Sequence, residues 1–215
     1  MITPITPERY DAVLFDMDGV LTATAAVHCR SWKEMFDAYL AERASRGGGT
    51  FEPFDEARDY RRYLDGRLRY DGVRSFLRSR GIELPEGAPE DPPGAETVCG
   101  LGNGKDRYLK KLLAEGGVEA YEGSVALVRR VRADGIRTAV VTASHNARAV
   151  IEAAGIADLF DAWVDGNLLD REGLAGKPAP DPFLAAARLL GVEPSRAVVI
   201  EDAIAGVQAG RAGGF

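Results

Sequence analysis

Ala12-Val13-Leu14-Phe15-Asp16-Met17-Asp18-Gly19-Val20 is the stretch on which the fold turns. Four apolar residues without a polar break, ending abruptly in paired acids, read as a strand buried on both faces, as in a parallel sheet covered by helices. Thr138–Val141, Ala162–Val164 and Ala197–Ile200 are runs of the same kind. Helical patterns accompany them. Ser124 is expected to open Val125–Ala133, closed by Gly135, while Asp181 and Pro182 cap a run ending at Gly191. Strands alternating with helices predict an α/β fold, a Rossmann-like doubly wound parallel sheet.

The alternation lapses for about a hundred residues after the first strand, where the pattern is helical. His28, Trp32, Phe36 and Leu40 recur along one helix face; Tyr60–Leu64 and Val73–Leu77 follow. A loop rich in Pro and Gly is expected from Pro85 to Gly104, then a last helix over Asp106–Leu113. Gly47-Gly48-Gly49 is a turn, since neither a preceding strand nor a Lys-Ser/Thr pair accompanies it. The organisation expected is a discontinuous core, 1–25 and 117–215, interrupted by a helical cap at 26–116.

Composition narrows the function classes. With 46% hydrophobic and 28% charged residues, the chain has enough apolar side chain for a core and is not of disordered composition. A net charge of −6 repels phosphate backbones, so nucleic acid is not the expected partner. No apolar run approaches the ~18 residues of a membrane span, and Met1–Arg9 lacks the basic-then-apolar pattern of a secretion signal. A cytoplasmic protein without a membrane partner is expected. Cys29 and Cys99 lack metal-ligand or paired spacing and read as reduced structural thiols.

Ligands of open α/β sheets bind beyond the carboxyl ends of the strands. Asp16 and Asp18 follow the first strand, Thr142 the second, and Glu201 with Asp202 the last; Lys177 stands on the loop before the Asp181 helix. One such acid alone could be a helix cap. Several on one rim repel, each like-charged pair ~5 Å apart costing about 3 kcal/mol at an effective dielectric near 20. A hard divalent cation, Mg2+, resolves the repulsion and lets an anionic substrate approach. A carboxylate can then attack phosphorus, with Asp16 as nucleophile and Asp18 as general acid and base. Thr142 and Lys177 would stabilise the charge of the transferring group.

These motifs, Asp16-x-Asp18-Gly19-Val20, Thr142, Lys177-Pro178, and Glu201-Asp202 followed by Ala205-Gly206-Val207, resemble the haloacid dehalogenase superfamily, in particular its β-phosphoglucomutase-like subfamily. The resemblance implies a helical cap after the first motif and Mg2+ held by Asp16, Asp18 and Asp202, with Glu201 in support. It also implies substrate contacts. His28 and Trp32 match the cap-entry pattern, and Gly66, Arg69 and Lys105 match cap positions that orient a sugar and hold a second phosphate. Ser144 and Asn146, at a helix start after Thr142, are read as anion contacts or as caps, the cap suiting Ser144 better.

The implied activity is a phosphomutase interconverting hexose 1-phosphate and hexose 6-phosphate (β-glucose 1-phosphate and glucose 6-phosphate) through an aspartyl phosphate. The alternatives are a sugar-phosphate phosphatase and a non-catalytic domain of a larger carbohydrate enzyme. A small phosphorylated sugar is the expected partner and a monomer the expected state. Ala23 stands where the family usually has Asp, and Asp106 where an amide is common. The sheet is expected to be incomplete, because the sequence stops at Gly213-Gly214-Phe215, short of the strand and helix that follow the fourth motif in the family.

Overall fold

Residues 4–215 are described by a computed structural model, in which the chain forms two compact units. The first comprises the chain to Thr24, Gly66–Leu68 and Val118–Phe215; the second comprises Ala25–Asp65 and Arg69–Gly117.

The first unit is built on a parallel sheet of β1 (Ala12–Phe15), β2 (Arg137–Val141), β3 (Ala162–Val164) and β4 (Ala197–Ile200), in the order β3-β2-β1-β4. β1 is central and wholly buried, which explains its unbroken apolar sequence. β4 lies at the edge, and its Val198, Val199 and Ile200 are only half-buried. The connecting helices are α4 (Glu122–Ala133), α5 (Ala147–Ala153), α6 (Gly166–Glu172), α7 (Asp181–Leu190) and α8 (Ile204–Ala212). Phe183, Ala186 and Leu190 of α7 pack with Leu14, Ala139 and Val164 in the core. Gly191 ends α7 in the left-handed conformation at φ +66°.

The second unit contains α1 (Ala25–Ser45), a π-helical segment (Glu56–Leu64), α2 (Arg69–Ser79) and α3 (Val98–Gly116). Trp32 and Phe36 stack at 5.5 Å between centroids, and Phe36 meets Phe76 at 4.0 Å. Both cysteines are buried free thiols. No helix among the described residues is long and apolar enough to cross a membrane.

Two local expectations are corrected. α3 starts at Val98, inside the stretch read as loop. Thr97 caps it by accepting from the Gly100 amide at 2.9 Å, and Gly102 admits the Tyr70 ring, which a Cβ would meet at 2.8 Å. Close packing overrides the low helix propensity of Gly100, Gly102 and Gly104. Ser124 does not open α4, which begins at Glu122; its hydroxyl instead donates to the Val20 carbonyl at 2.6 Å.

Candidate active site

Strand register assembles the site in the first unit. Phe15 pairs with Ile200 on one side and Val140 on the other. Asp16, Glu201 and Val141 therefore leave neighbouring strands side by side. The Asp16 amide donates to the Ile200 carbonyl at 3.0 Å, the last link before those chains part.

Lys177 joins all three. Its Nζ donates to Asp16 Oδ1 at 2.6 Å, to the Val141 carbonyl at 3.1 Å and to Glu201 Oε1. An ammonium has three N–H groups, so these bonds employ every one. The side chain is buried, with Nζ 5.0 Å from the centre of the Phe183 ring. Burial disfavours this ammonium, but the charges of Asp16 and Glu201 outweigh burial and hold its pKa above the ordinary lysine value.

Carboxylate oxygens of Asp16, Glu201 and Asp202 all lie within 4.8 Å of one another. Two glycines make this crowding possible. A Cβ on Gly19, whose φ is +91°, would strike the Asp202 carboxylate, and one on Gly206 would strike that of Glu201. Glu201 Oε2 also accepts from the Ala203 amide at 2.9 Å. Burial raises the Asp16 carboxyl well above the usual carboxylate range; Lys177 opposes it, and the charges of Glu201 and Asp18 add to it. Desolvation raises Asp202 too, followed by repulsion from Glu201.

The donor set fits Mg2+, because hard carboxylate oxygens converge and outnumber the single ammonium bonded to them. The Asp18 carboxylate is not in this cluster and accepts from the Thr24 hydroxyl, which lies 2.7 Å from the Thr22 hydroxyl. Thr142 is buried at the end of β2. Its Oγ1 accepts from the Ser144 amide at 3.1 Å, and Ser144 Oγ accepts from the Asn146 amide at 3.2 Å. Ser144 therefore holds the turn and does not cap α5, whose N-cap is Asn146 without a side-chain bond.

A family model described as haloacid dehalogenase-like hydrolase matches residues 10–214, a span that includes every one of these strand ends. The chain belongs to this family. A "Beta-phosphoglucomutase" of Mycobacterium bovis is 56% identical over 209 residues, covering 97% of this chain and 80% of that protein. An uncharacterized glycosyl hydrolase of Mycobacterium tuberculosis is 37% identical over 213 residues, which are 99% of this chain but 16% of the larger protein. Among solved structures, CbbY from Rhodobacter sphaeroides in complex with xylulose-(1,5)bisphosphate superposes with a TM-score of 0.69 at 28% identity, covering 96% of this chain and 84% of that one.

In the second unit of this haloacid dehalogenase-like chain, three of the residues singled out from sequence come together. Lys105 is buried, with Nζ 3.0 Å from His28 Nδ1 and 5.2 Å from the centre of the Trp32 ring. Arg69 opens α2 and pairs with Asp106 at 3.1 Å; Asp106 also holds Lys110 at 2.9 Å. Gly66 belongs to the first unit, beside Ala203. Sequence reasoning missed the supporting parts: the Thr22 and Thr24 hydroxyls, the Val141 carbonyl and the space left by Gly206. The alternation Thr22-x-Thr24 right after the acidic motif was the one available signal for the hydroxyls.

Proposed function

We propose that the chain is a Mg2+-dependent phosphomutase that interconverts β-glucose 1-phosphate and glucose 6-phosphate through a phosphoryl group carried on Asp16. The observation that carries this reading is the convergence of Asp16, Glu201 and Asp202 around a lysine whose donors already serve two of those acids and a carbonyl. Similarity to a protein named for this reaction, over nearly the whole chain, supports the substrate.

Asp16, Glu201 and Asp202, with Asp18 contributing from its neighbouring turn, would hold Mg2+. When bound, the ion neutralises acid and phosphate charge and so lets an anion approach. Asp16 attacks phosphorus through a carboxylate oxygen, and the substrate's P–O bond breaks. Asp18, steadied by Thr24, gives its proton to the departing sugar oxygen and takes one back from the hydroxyl that attacks next. Lys177 through its charge, its N–H groups being engaged, and Thr142 through its hydroxyl stabilise the equatorial oxygens of the moving group. Ser144 and Asn146 contribute from the turn after β2. A bisphosphate intermediate needs cations for a second phosphate, and Arg69 and Lys105 supply them, with His28, Trp32 and Gly66 orienting the sugar.

A phosphatase would use the same nucleophile with water as the second acceptor. Incubating the protein with β-glucose 1-phosphate, Mg2+ and a trace of bisphosphate separates the two. Glucose 6-phosphate accumulates if the proposal is right, and release of inorganic phosphate without glucose 6-phosphate refutes it.

A further inference from the structure

Val164 of β3 pairs with Val141 of β2, and the Thr142 amide donates to the Val164 carbonyl at 2.9 Å, so the two chains leave the sheet side by side. The turn after β2 is then joined to the start of α6. The Gly166 amide donates to the Ser144 carbonyl at 3.2 Å, and Asn167 Nδ2 donates to the His145 carbonyl at 2.9 Å. His145 Nε2 lies 2.8 Å from Asp170 Oδ2. Gly166 allows the tightest approach: a Cβ there would come within 2.7 Å of the Ala143 carbonyl oxygen and 2.8 Å of the His145 ring. That carbonyl belongs to the same peptide unit as the Ser144 amide, which donates to Thr142 Oγ1. The unit is trans, so its C=O and N–H point in opposite directions. With the oxygen against bare Gly166, the N–H is turned toward Thr142.

We infer that Gly166 is a positioning residue for phosphoryl transfer, acting through the 143–144 peptide on the Thr142 hydroxyl, and that Asn167 and Asp170 support it by holding His145. The inference rests on the aspartyl-phosphate reading above, in which Thr142 serves the moving phosphoryl group. Thr142 is buried, and its hydroxyl has one proton to give. The Ser144 amide takes up a lone pair, which directs that proton away from the amide, and no other group among the described residues bonds to the hydroxyl. The proton is thereby kept for an oxygen of the phosphoryl group, to which it gives a hydrogen bond without being transferred. A donor aimed in advance stabilises the charge of the transition state without rearrangement, so misdirecting it lowers turnover more than it weakens substrate binding.

The test is a double-mutant cycle with Thr142→Val. Turnover of β-glucose 1-phosphate with Mg2+ and a trace of bisphosphate is measured as glucose 6-phosphate plus inorganic phosphate, which counts transfer whichever acceptor takes the group. Gly166→Ala is expected to lower kcat about thirtyfold with KM within about threefold of wild type, and Asn167→Ala to lower kcat about fivefold. In the Thr142→Val background both losses should shrink to less than about twofold, because the hydroxyl they aim is gone. Asp170→Ala should cost about threefold, and Asp170→Asn, which keeps an oxygen for His145 Nε2, should restore wild-type turnover. Melting temperatures check folding, and Asn167→Ala carries the cycle if Gly166→Ala does not fold. Equal losses in both backgrounds, or a loss confined to KM, overturn the positioning role and leave the proposed reaction standing. A wild-type protein that gives neither product overturns the phosphoryl-transfer reading and this inference with it.

Discussion

Replacing Lys177 by Met removes the ammonium that Asp16 and Glu201 share and leaves both carboxyls buried without it. At the 2.6 Å separation of Nζ from Asp16, the Coulomb energy at an effective dielectric of ~20 is about 6 kcal/mol. Part of this offsets the desolvation of the lysine itself, and breaking one side of a buried ion pair costs about 3–5 kcal/mol. For a chain of this length, at about 2–4 °C per kcal/mol, the melting temperature should fall by about 10 °C in EDTA. The sign with pH follows from Asp16. Its folded pKa lies above the unfolded value of 3.8, and losing Lys177, which lowers it, raises it further. Such a group favours the fold below its unfolded pKa, and that contribution disappears as pH rises through the folded pKa. The deficit of Lys177→Met should therefore be small near about pH 4 and grow toward neutrality, where Mg2+ recovers part of it, about 2.7 kcal/mol at a hundred times the dissociation constant. Thermal unfolding across this pH range, in EDTA and in Mg2+, checks each part. A variant that melts with the wild-type protein, or whose deficit is flat with pH, refutes the reasoning.

Gly206→Ala is expected to reduce turnover about a hundredfold, because the new methyl displaces the Glu201 carboxylate, although a helix-interior Gly→Ala change ordinarily stabilises by up to ~1 kcal/mol; turnover and melting temperature measured together expose the split. Burial works against the Asp59 carboxylate, but bonds from Arg58, the Asp55 amide and Arg80 outweigh it and hold its pKa below the ordinary value. That stability is present above an unfolded pKa of ~3.9 and is lost as pH falls through the folded one, so Asp59→Asn should flatten the acid limb of a stability-against-pH curve. Phe36→Ala, which empties the centre of the second unit's aromatic stack, should cost about 3–5 kcal/mol in denaturant unfolding.

The sheet was legible because burial on both faces leaves a strand no polar positions, so Ala12–Phe15 and Thr138–Val141 stand out from any amphipathic alternative. The aromatic face of α1 was legible through the spacing of Trp32, Phe36 and Leu40, all buried. The start of α3 was not, since Gly100, Gly102 and Gly104 signal loop by propensity, while the close contacts of Gly100 with Ala95 and of Gly102 with Tyr70 that favour the helix leave no helix signal in the sequence. Ser124 misled for a related reason: its hydroxyl satisfies Val20, more than a hundred positions away in the chain. At the site, the acids were visible as polar residues at strand ends. The bonds of Lys177 were not, because they depend on the register that sets Val141, Asp16 and Glu201 abreast. The membership of Gly66–Leu68 in the first unit was equally hidden, as chain continuity assigns that tripeptide to its neighbours.

The two glycines under the acids explain why a cluster of this kind points to a cation. A Cβ at either Gly19 or Gly206 would push a carboxylate away, and separating the acids would relieve their mutual repulsion. The backbone is arranged the other way: it omits both Cβ atoms and lets Asp202 and Glu201 approach Asp16, so that burial first, and repulsion between the acids after it, raises the carboxyl pKa values of Asp16 and Asp202. Lys177 offsets this for Asp16 and Glu201, to which it is bonded, whereas Asp202 is reached by its field alone. The remaining negative charge is what a divalent ion would neutralise, and its position beside the carboxylate proposed as nucleophile is what the proposed phosphoryl transfer would require of crowded acids.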